Sequence, residues 1–330
     1  MKTALLAAVA ATALFMSGAA LAQRDFPVSE QPSLNDVYPD RVTHFPGGVT
    51  GLADVTYSTL PGFRPMVVDI YMPKNKAPKP LVLYIHGGGW VSGHTRHSGA
   101  LANFPQALAK LASEGFVVAS LEYRLSGEAP YPAQLQDARA AIRFLKDNAA
   151  KYGIDATRVG VWGGSAGGHL TGLVATTCGE TGVDPKPAAA GSECVQAAVT
   201  WYGVFDFAPM MAKAAATGDL NSAQNMLLRC KPEECKPELV AAVSPITHVD
   251  AKDPPMLLIH GEKDAVVDVS QSHLMEAKLK ATGVPVETIY IPGVDHSFIG
   301  ATLAETRAAT LKATNATFDF FHKALGVPAK

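Results

Sequence analysis

The stretch Val159-Gly-Val-Trp162-Gly-Gly-Ser165-Ala-Gly-Gly168-His169 decides the fold. Val159 to Trp162 is a short apolar run of the kind that forms a buried strand, and His169 to Thr177 reads as a helix. Between them, Gly163-Gly-Ser165-Ala-Gly167 has the form G-x-S-x-G. A serine forced into a sharp strand-to-helix turn needs small neighbours two residues to either side, and Gly163 and Gly167 supply them. Its hydroxyl then stands clear of the backbone, beyond the end of the strand. The Ala166 amide, at the start of a helix, is free to bind an anion. Ser165 is therefore a candidate nucleophile.

Reading outward, strands and helices alternate. Extended stretches cover Val49–Leu60, Pro65–Met72, Pro80–Ile85, Phe116–Tyr123, Val195–Val204, Pro255–His260 and Pro285–Ile291. Helical spacing covers Leu101–Gly115, Pro132–Tyr152, Ser270–Thr282 and Ala301–Leu325, with Gly115 and Gly153 as stops. This alternation predicts an α/β architecture, a mostly parallel sheet with helices on both faces. No internal repeat and no Gly/Ser-rich linker interrupts it, so residues 23–330 are expected to form one domain. Asp206 to Val243 breaks the rhythm, with Met210, Met211, Leu220, Met226, Leu227 and Leu228 set among Lys, Glu and Pro. It reads as a small helical cap insertion over the strand ends.

A second glycine motif, His86-Gly-Gly-Gly89-Trp90, follows the strand ending at Ile85. Three glycines let main-chain N–H groups approach a ligand unobstructed, so Gly88 and Gly89 are candidates to complete an oxyanion hole with Ala166. His86 belongs to the turn and reads as an orienting or packing residue. The base and acid must come later in the chain. His296, in Asp295-His-Ser-Phe298, follows the last strand, and Asp264 follows the strand that ends at His260. Asp268 is the reserve acid. Asp295 adjoins His296 too closely for its side chain to fold back on the imidazole. His260, inside a strand, reads as a core histidine. His94 and His97 lack a third ligand or a carboxylate, so no metal site is expected there.

Composition bounds the rest. Hydrophobic residues make up 48% of the 330 and charged residues 18%, which excludes a disordered chain. Lys and Arg total 28 against 30 acidic residues, so no basic stripe points to nucleic acid. Met1-Lys2, the apolar stretch Ala4–Met16 and Ala20-Leu-Ala22 form a secretory signal peptide, residues 1–22, cleaved after Ala22. Thirteen mostly apolar residues are too few to span a bilayer of about 30 Å, and no other apolar run is long enough to do so. An exported protein is expected, periplasmic or extracellular, with no membrane attachment after cleavage.

Export makes the four cysteines readable. Cys178 ends one helix and Cys194 precedes the next strand, so both belong to the lower edge of a parallel sheet. Cys230 and Cys235 lie in the insertion, at the upper edge. Cross-pairing would exceed the reach of about 7 Å between Cα atoms, which leaves Cys178–Cys194 and Cys230–Cys235.

With these residues in place, the chain resembles the α/β hydrolases of the hormone-sensitive-lipase-like esterase group, close to secreted bacterial feruloyl and acetyl-xylan esterases. The resemblance rests on His86-Gly-Gly-Gly-Trp90 and Gly163-Gly-Ser-Ala-Gly-Gly168, with Glu122-Tyr-Arg-Leu125, Gly127-Glu-Ala-Pro-Tyr-Pro-Ala133 and Ser244-Pro-Ile-Thr247. It covers roughly Val67 to Phe321. One departure is Cys230 to Cys235, where the group would have a Gly-rich turn. The order Ser165, Asp264, His296 is that of a hydrolase triad on this architecture. The resemblance implies a cofactor-free, metal-free serine carboxylesterase acting on a small-molecule or carbohydrate ester, such as acetyl or feruloyl esters of plant polysaccharide. Two other readings compete: an amide hydrolase, either a formamidase or a prolyl-oligopeptidase-like peptidase, and a non-catalytic binding protein on the same scaffold. The sequence fixes no oligomeric state.

Overall fold

The computed structural model describes residues 41–75, 77–184, 192–217 and 222–328; the leader read at residues 1–22 lies outside them. Nine described strands form one sheet: β1 (Arg41–Phe45), β2 (Val49–Ser58), β3 (Met66–Pro73), β4 (Lys79–Ile85), β5 (Val117–Leu121), β6 (Ile154–Gly164), β7 (Ala197–Trp201), β8 (Met256–Gly261) and β9 (Val286–Ile291). Their order is β1-β2-β3-β5-β4-β6-β7-β8-β9. The six strands from β5 to β9 pair in parallel, and β1 to β3 extend one edge antiparallel.

Alternation along the central strands explains the two cores. In β4, Leu81, Leu83 and Ile85 join one hydrophobic cluster while Val82 and Tyr84 join the other. The first face is covered by α2 (Ala133–Asp147), α4 (Ala166–Thr176) and α8 (Ser270–Thr282). The second is covered by α1 (Phe104–Ser113) and α9 (Leu303–Ala324). A parallel sheet buried on both faces reads as continuous apolar runs, and β4, β5 and β8 do. The fold is that of an α/β hydrolase.

Three sequence expectations shift. β1 falls outside every stretch read as extended, because Arg41-Val-Thr-His-Phe45 is an exposed edge with no apolar face to betray it. The helix read over Pro132–Tyr152 is broken at Asn148, giving α2 and the single turn α3 (Ala149–Tyr152). The helix expected from His169 begins three residues earlier, at Ala166. Gly167 and Gly168 are small because of close packing rather than because they form a turn. A Cβ on Gly167 would strike the carbonyls of Ile85 and His86, and one on Gly168 that of Trp201.

The segment read as an insertion, Asp206 to Val243, contains α5 (Phe207–Thr217), α6 (Ala223–Leu228) and α7 (Pro237–Ala242). It is fastened to the segment Gly127–Ala133: Tyr131 N–H donates to Leu227 O at 2.9 Å, and its hydroxyl to Ala242 O at 2.6 Å. The disulfides are Cys178–Cys194, with Cα atoms 4.9 Å apart, and Cys230–Cys235, at 5.3 Å. Among the described residues no helix is long and apolar enough to cross a membrane.

Candidate active site

Each candidate side chain sits just beyond the carboxyl end of a parallel strand, where α/β sheets open a crevice. Ser165 follows β6, Asp264 follows β8 and His296 follows β9. At the turn, Ser165 takes φ +56°, a left-handed conformation costly for a side-chain-bearing residue. Gly163 and Gly167 make that turn sterically possible, since a Cβ on Gly163 would strike Gly167 and the Ile85 carbonyl.

The structure brings Ser165, His296 and Asp264 into one chain of contacts. His296 Nε2 lies 3.0 Å from Ser165 Oγ, and His296 Nδ1 lies 2.7 Å from Asp264 Oδ2. The Asp264 side chain is fully buried. Burial alone would push its carboxyl up, but hydrogen bonds from His260 and His296 outweigh it and hold the group well below the usual carboxylate range. Oδ1 adds two main-chain donors, Val266 at 2.9 Å and Val267 at 2.8 Å. An ionised carboxylate only accepts, so Nδ1 of His296 carries the hydrogen, and Nε2 is left to accept from the Ser165 hydroxyl.

Two supporting residues were hard to see in the sequence. His260, read as a core histidine, is buried beside the acid. Its Nδ1 faces Ser272 Oγ at 2.7 Å, and its Nε2 is shared between Val267 O at 2.9 Å and Asp264 Oδ2 at 3.3 Å. Asp295 does not reach the imidazole. Its Oδ1 accepts instead from the main chain of His296 at 2.6 Å and of Ala265 at 2.8 Å, pinning the loop after β9 to the loop after β8. The reserve acid Asp268 shares a hollow with Ser165, but its carboxylate accepts from Ser270 N–H at the start of α8, at 2.9 Å, rather than from the imidazole.

The glycine loop packs against the serine: a Cβ on Gly87 would come within 2.8 Å of Gly164 O and 3.4 Å of Ser165 Cβ. Gly88, Gly89 and Trp90 all have positive φ. The amides of Gly88 and Gly89, like that of Ala166 at the start of α4, donate to no acceptor among the described residues. His86 is buried, its ring stacked on Tyr123 with centroids 4.2 Å apart and its Nδ1 2.7 Å from Gly87 O.

Two hollows meet at Ser165. One, of about 360 Å³, is walled by Trp90, Val204, Met210 and Ala223. The other, of about 620 Å³, is lined by His94, His97, Tyr202 and His296. Phe205 and Leu227 are buried in the core and line neither. Among the described residues no cluster of three or more His, Cys, Asp or Glu could hold a metal ion.

Residues 68–279 match the BD-FAE family model. The chain belongs to the BD-FAE family. Among curated relatives, esterase LipQ of Mycobacterium tuberculosis is 30% identical over 262 residues, 77% of this chain and 59% of that protein. The chain spans about half to three fifths of the length of the first curated relatives it matches. Solved structures cover it more fully. A truncated carbohydrate esterase from gut microbiota shares 30% identity and a TM-score of 0.70, over 86% of this chain and 99% of that one. The acetyl ester-xyloside bifunctional hydrolase from Caldicellulosiruptor lactoaceticus shares 28% and 0.65, over 82% and 95%. The BD-FAE match covers the glycine loop, the serine turn and Asp264; His296 lies beyond it.

Proposed function

We propose that this BD-FAE protein is an exported serine carboxylesterase that hydrolyses small acyl esters, among them acetyl or feruloyl esters of plant polysaccharide. The observation that carries the reading is the continuous relay from Asp264 through His296 to Ser165, set beside main-chain N–H groups with no other acceptor among the described residues. The names of the relatives and of the solved neighbours support ester chemistry. The two disulfides support an oxidising destination.

In this mechanism His296 Nε2 takes the Ser165 proton as Oγ attacks the ester carbonyl, and Asp264 stabilises the imidazolium that forms. The oxyanion is held by the amides of Gly88, Gly89 and Ala166, each such donor lowering the barrier by about 3–4 kcal/mol. His296 then gives its proton to the departing alcohol. Water, activated by the same imidazole, attacks the acyl-enzyme and releases the acid. The proton that His296 takes from the water returns to Ser165 Oγ as the acid leaves, which restores the free enzyme.

A hydrolysis panel of acetyl, butyryl and feruloyl esters beside amides and peptides tests the reading. Esters should be cleaved and amides not. Ser165→Ala should reduce ester turnover by at least about 10³-fold while leaving the fold intact. Preferential amide cleavage, or turnover retained by Ser165→Ala, would overturn it.

A further inference from the structure

We propose that the two hollows divide the ester between them, acyl group toward Trp90 and Met210 and alcohol toward His94 and His97, and that this histidine pair recognises the hydroxyl groups of a saccharide alcohol. The inference rests on the ester-hydrolase reading above and adds the direction in which the substrate lies.

Direction follows from proton transfer. The leaving oxygen must come within about 2.6–3.2 Å of the imidazole nitrogen that protonates it. His296 lines only the larger of the two hollows, while Ser165, Gly89 and Val266 line both. The scissile carbon therefore sits over Ser165, the alcohol enters the hollow of about 620 Å³, and the acyl group takes the hollow of about 360 Å³.

Both hollows mix polar and apolar walls, and they differ in which hydrogen-bonding groups they offer. The acyl hollow sets Trp90, Val204 and Met210 beside Lys213, Gln224 and Asp268. The alcohol hollow sets Tyr202, Val266 and Ile299 beside Ser92 and the two imidazoles of the loop Gly87–His97. His94 accepts from Arg96 N–H through Nδ1 at 3.1 Å, which leaves its ring hydrogen on Nε2. His97 stands beside it, with ring centroids 6.2 Å apart. Two imidazoles without a third ligand do not make a cation site, but as donors and acceptors they suit the hydroxyls of a sugar.

Both rings are exposed, yet the turn that carries them is fixed. Thr95 and Arg96, between the histidines, are held by the buried carboxylate of Asp69. Thr95 Oγ1 donates at 2.9 Å, Arg96 Nε at 2.7 Å and Arg96 Nη2 at 3.1 Å. Ser120 Oγ adds a bond to Thr95 O at 2.7 Å. A pinned backbone spares the imidazoles part of the ordering cost that binding would otherwise incur.

The test compares kcat/KM for acetylated xylotriose with kcat/KM for ethyl acetate, which share an acyl group and differ in the alcohol. In the His94→Ala/His97→Ala double variant the ratio of the two should fall about tenfold, the loss of one to two net hydrogen bonds. His94→Gln and His97→Gln, which keep a donor and an acceptor, should recover much of it. An unchanged ratio, or a wild-type protein that cleaves ethyl acetate but not the acetylated sugar, would overturn the assignment. Xylotriose binding to Ser165→Ala, followed by NMR titration, needs no turnover; Kd should rise about tenfold when both histidines are removed. An equal Kd with and without them overturns the assignment even where esterase activity is intact. Absence of cleavage of any ester would instead sink the underlying reading, and the titration would still decide the histidines.

Discussion

Trp90 donates its indole N–H to Nδ1 of His169 across 3.0 Å, with both side chains buried. The other ring nitrogen of His169 lies 2.7 Å from Val243 O. A single imidazole on the helix that starts beside Ser165 thus ties the glycine loop to the residue that follows α7 in the cap. Because Nδ1 accepts, Nε2 carries the hydrogen and donates. Replacement by leucine would leave the Trp90 N–H buried without a partner, at a cost of about 1–3 kcal/mol. His169→Leu should lower kcat about ten- to hundredfold, as expected when oxyanion donors shift by a fraction of an ångström to an ångström. His169→Gln should recover part of it. Steady-state kinetics on a small ester check this, and an unchanged kcat in His169→Leu would remove the tie from the account.

The same histidine, with His86, makes stability depend on pH. Burial pushes both imidazoles down to about 4 from the ordinary 6.5, against smaller upward contributions from their bonds to Val243 O and Gly87 O. The unfolded chain therefore takes up protons first as pH falls. Stability from these groups is complete above about 6.5, erodes between 6.5 and 4, and loses nothing further below that. Each contributes roughly 3 kcal/mol over that window. Thermal melts from pH 7.5 to 4 should show the decline, with a shallower slope in His169→Gln; parallel slopes would contradict it.

The acid can be assigned by comparing three variants. Asp264→Asn places an amide against Nδ1 of His296 and should cost about 10⁴-fold in kcat. His260→Leu removes one donor from Asp264 and should cost roughly tenfold, with little change in KM. Asp268→Asn should show the smallest loss of the three. Measured kcat values in any other order would move the acid role.

The two disulfides close loops of different length, 16 and 5 residues. In the chain-entropy view they stabilise by about 3 and about 2 kcal/mol respectively. Replacing both Cys178 and Cys194 with serine should therefore lower Tm more than replacing Cys230 and Cys235. Mass spectrometry of the unreduced protein should find no alkylatable thiol, and four such thiols would contradict both pairings.

Much of the fold was legible because a sheet buried on both faces writes itself as short apolar runs separated by helical spacing. Ser270–Thr282 coincides with α8, and Pro285–Ile291 differs from β9 by one residue. The exposed strand β1 carried no such signature. The site was legible where backbone geometry demands glycine, around Ser165 and Gly88, because those demands are local. The partners of Asp264 were not. His260 sits four residues before it on an ordinary strand, and only the turn after β8 brings its Nε2 to the carboxylate. Trp90, met in the sequence beside three glycines, gave no sign that its partner was His169, 79 residues further on.

Asp69 belongs to β3, in the antiparallel flank, yet its carboxylate anchors the turn that leads out of the glycine loop. A shortened protein beginning at β4 would keep every parallel strand and all of the groups around Ser165. It would also strand the Arg96 guanidinium and the Thr95 hydroxyl without their anion. The inner strand of the leading hairpin is therefore tethered to the loop that carries His94 and His97, and Arg64, in the turn that precedes that strand, is bound in its own right to Glu122 and Glu128.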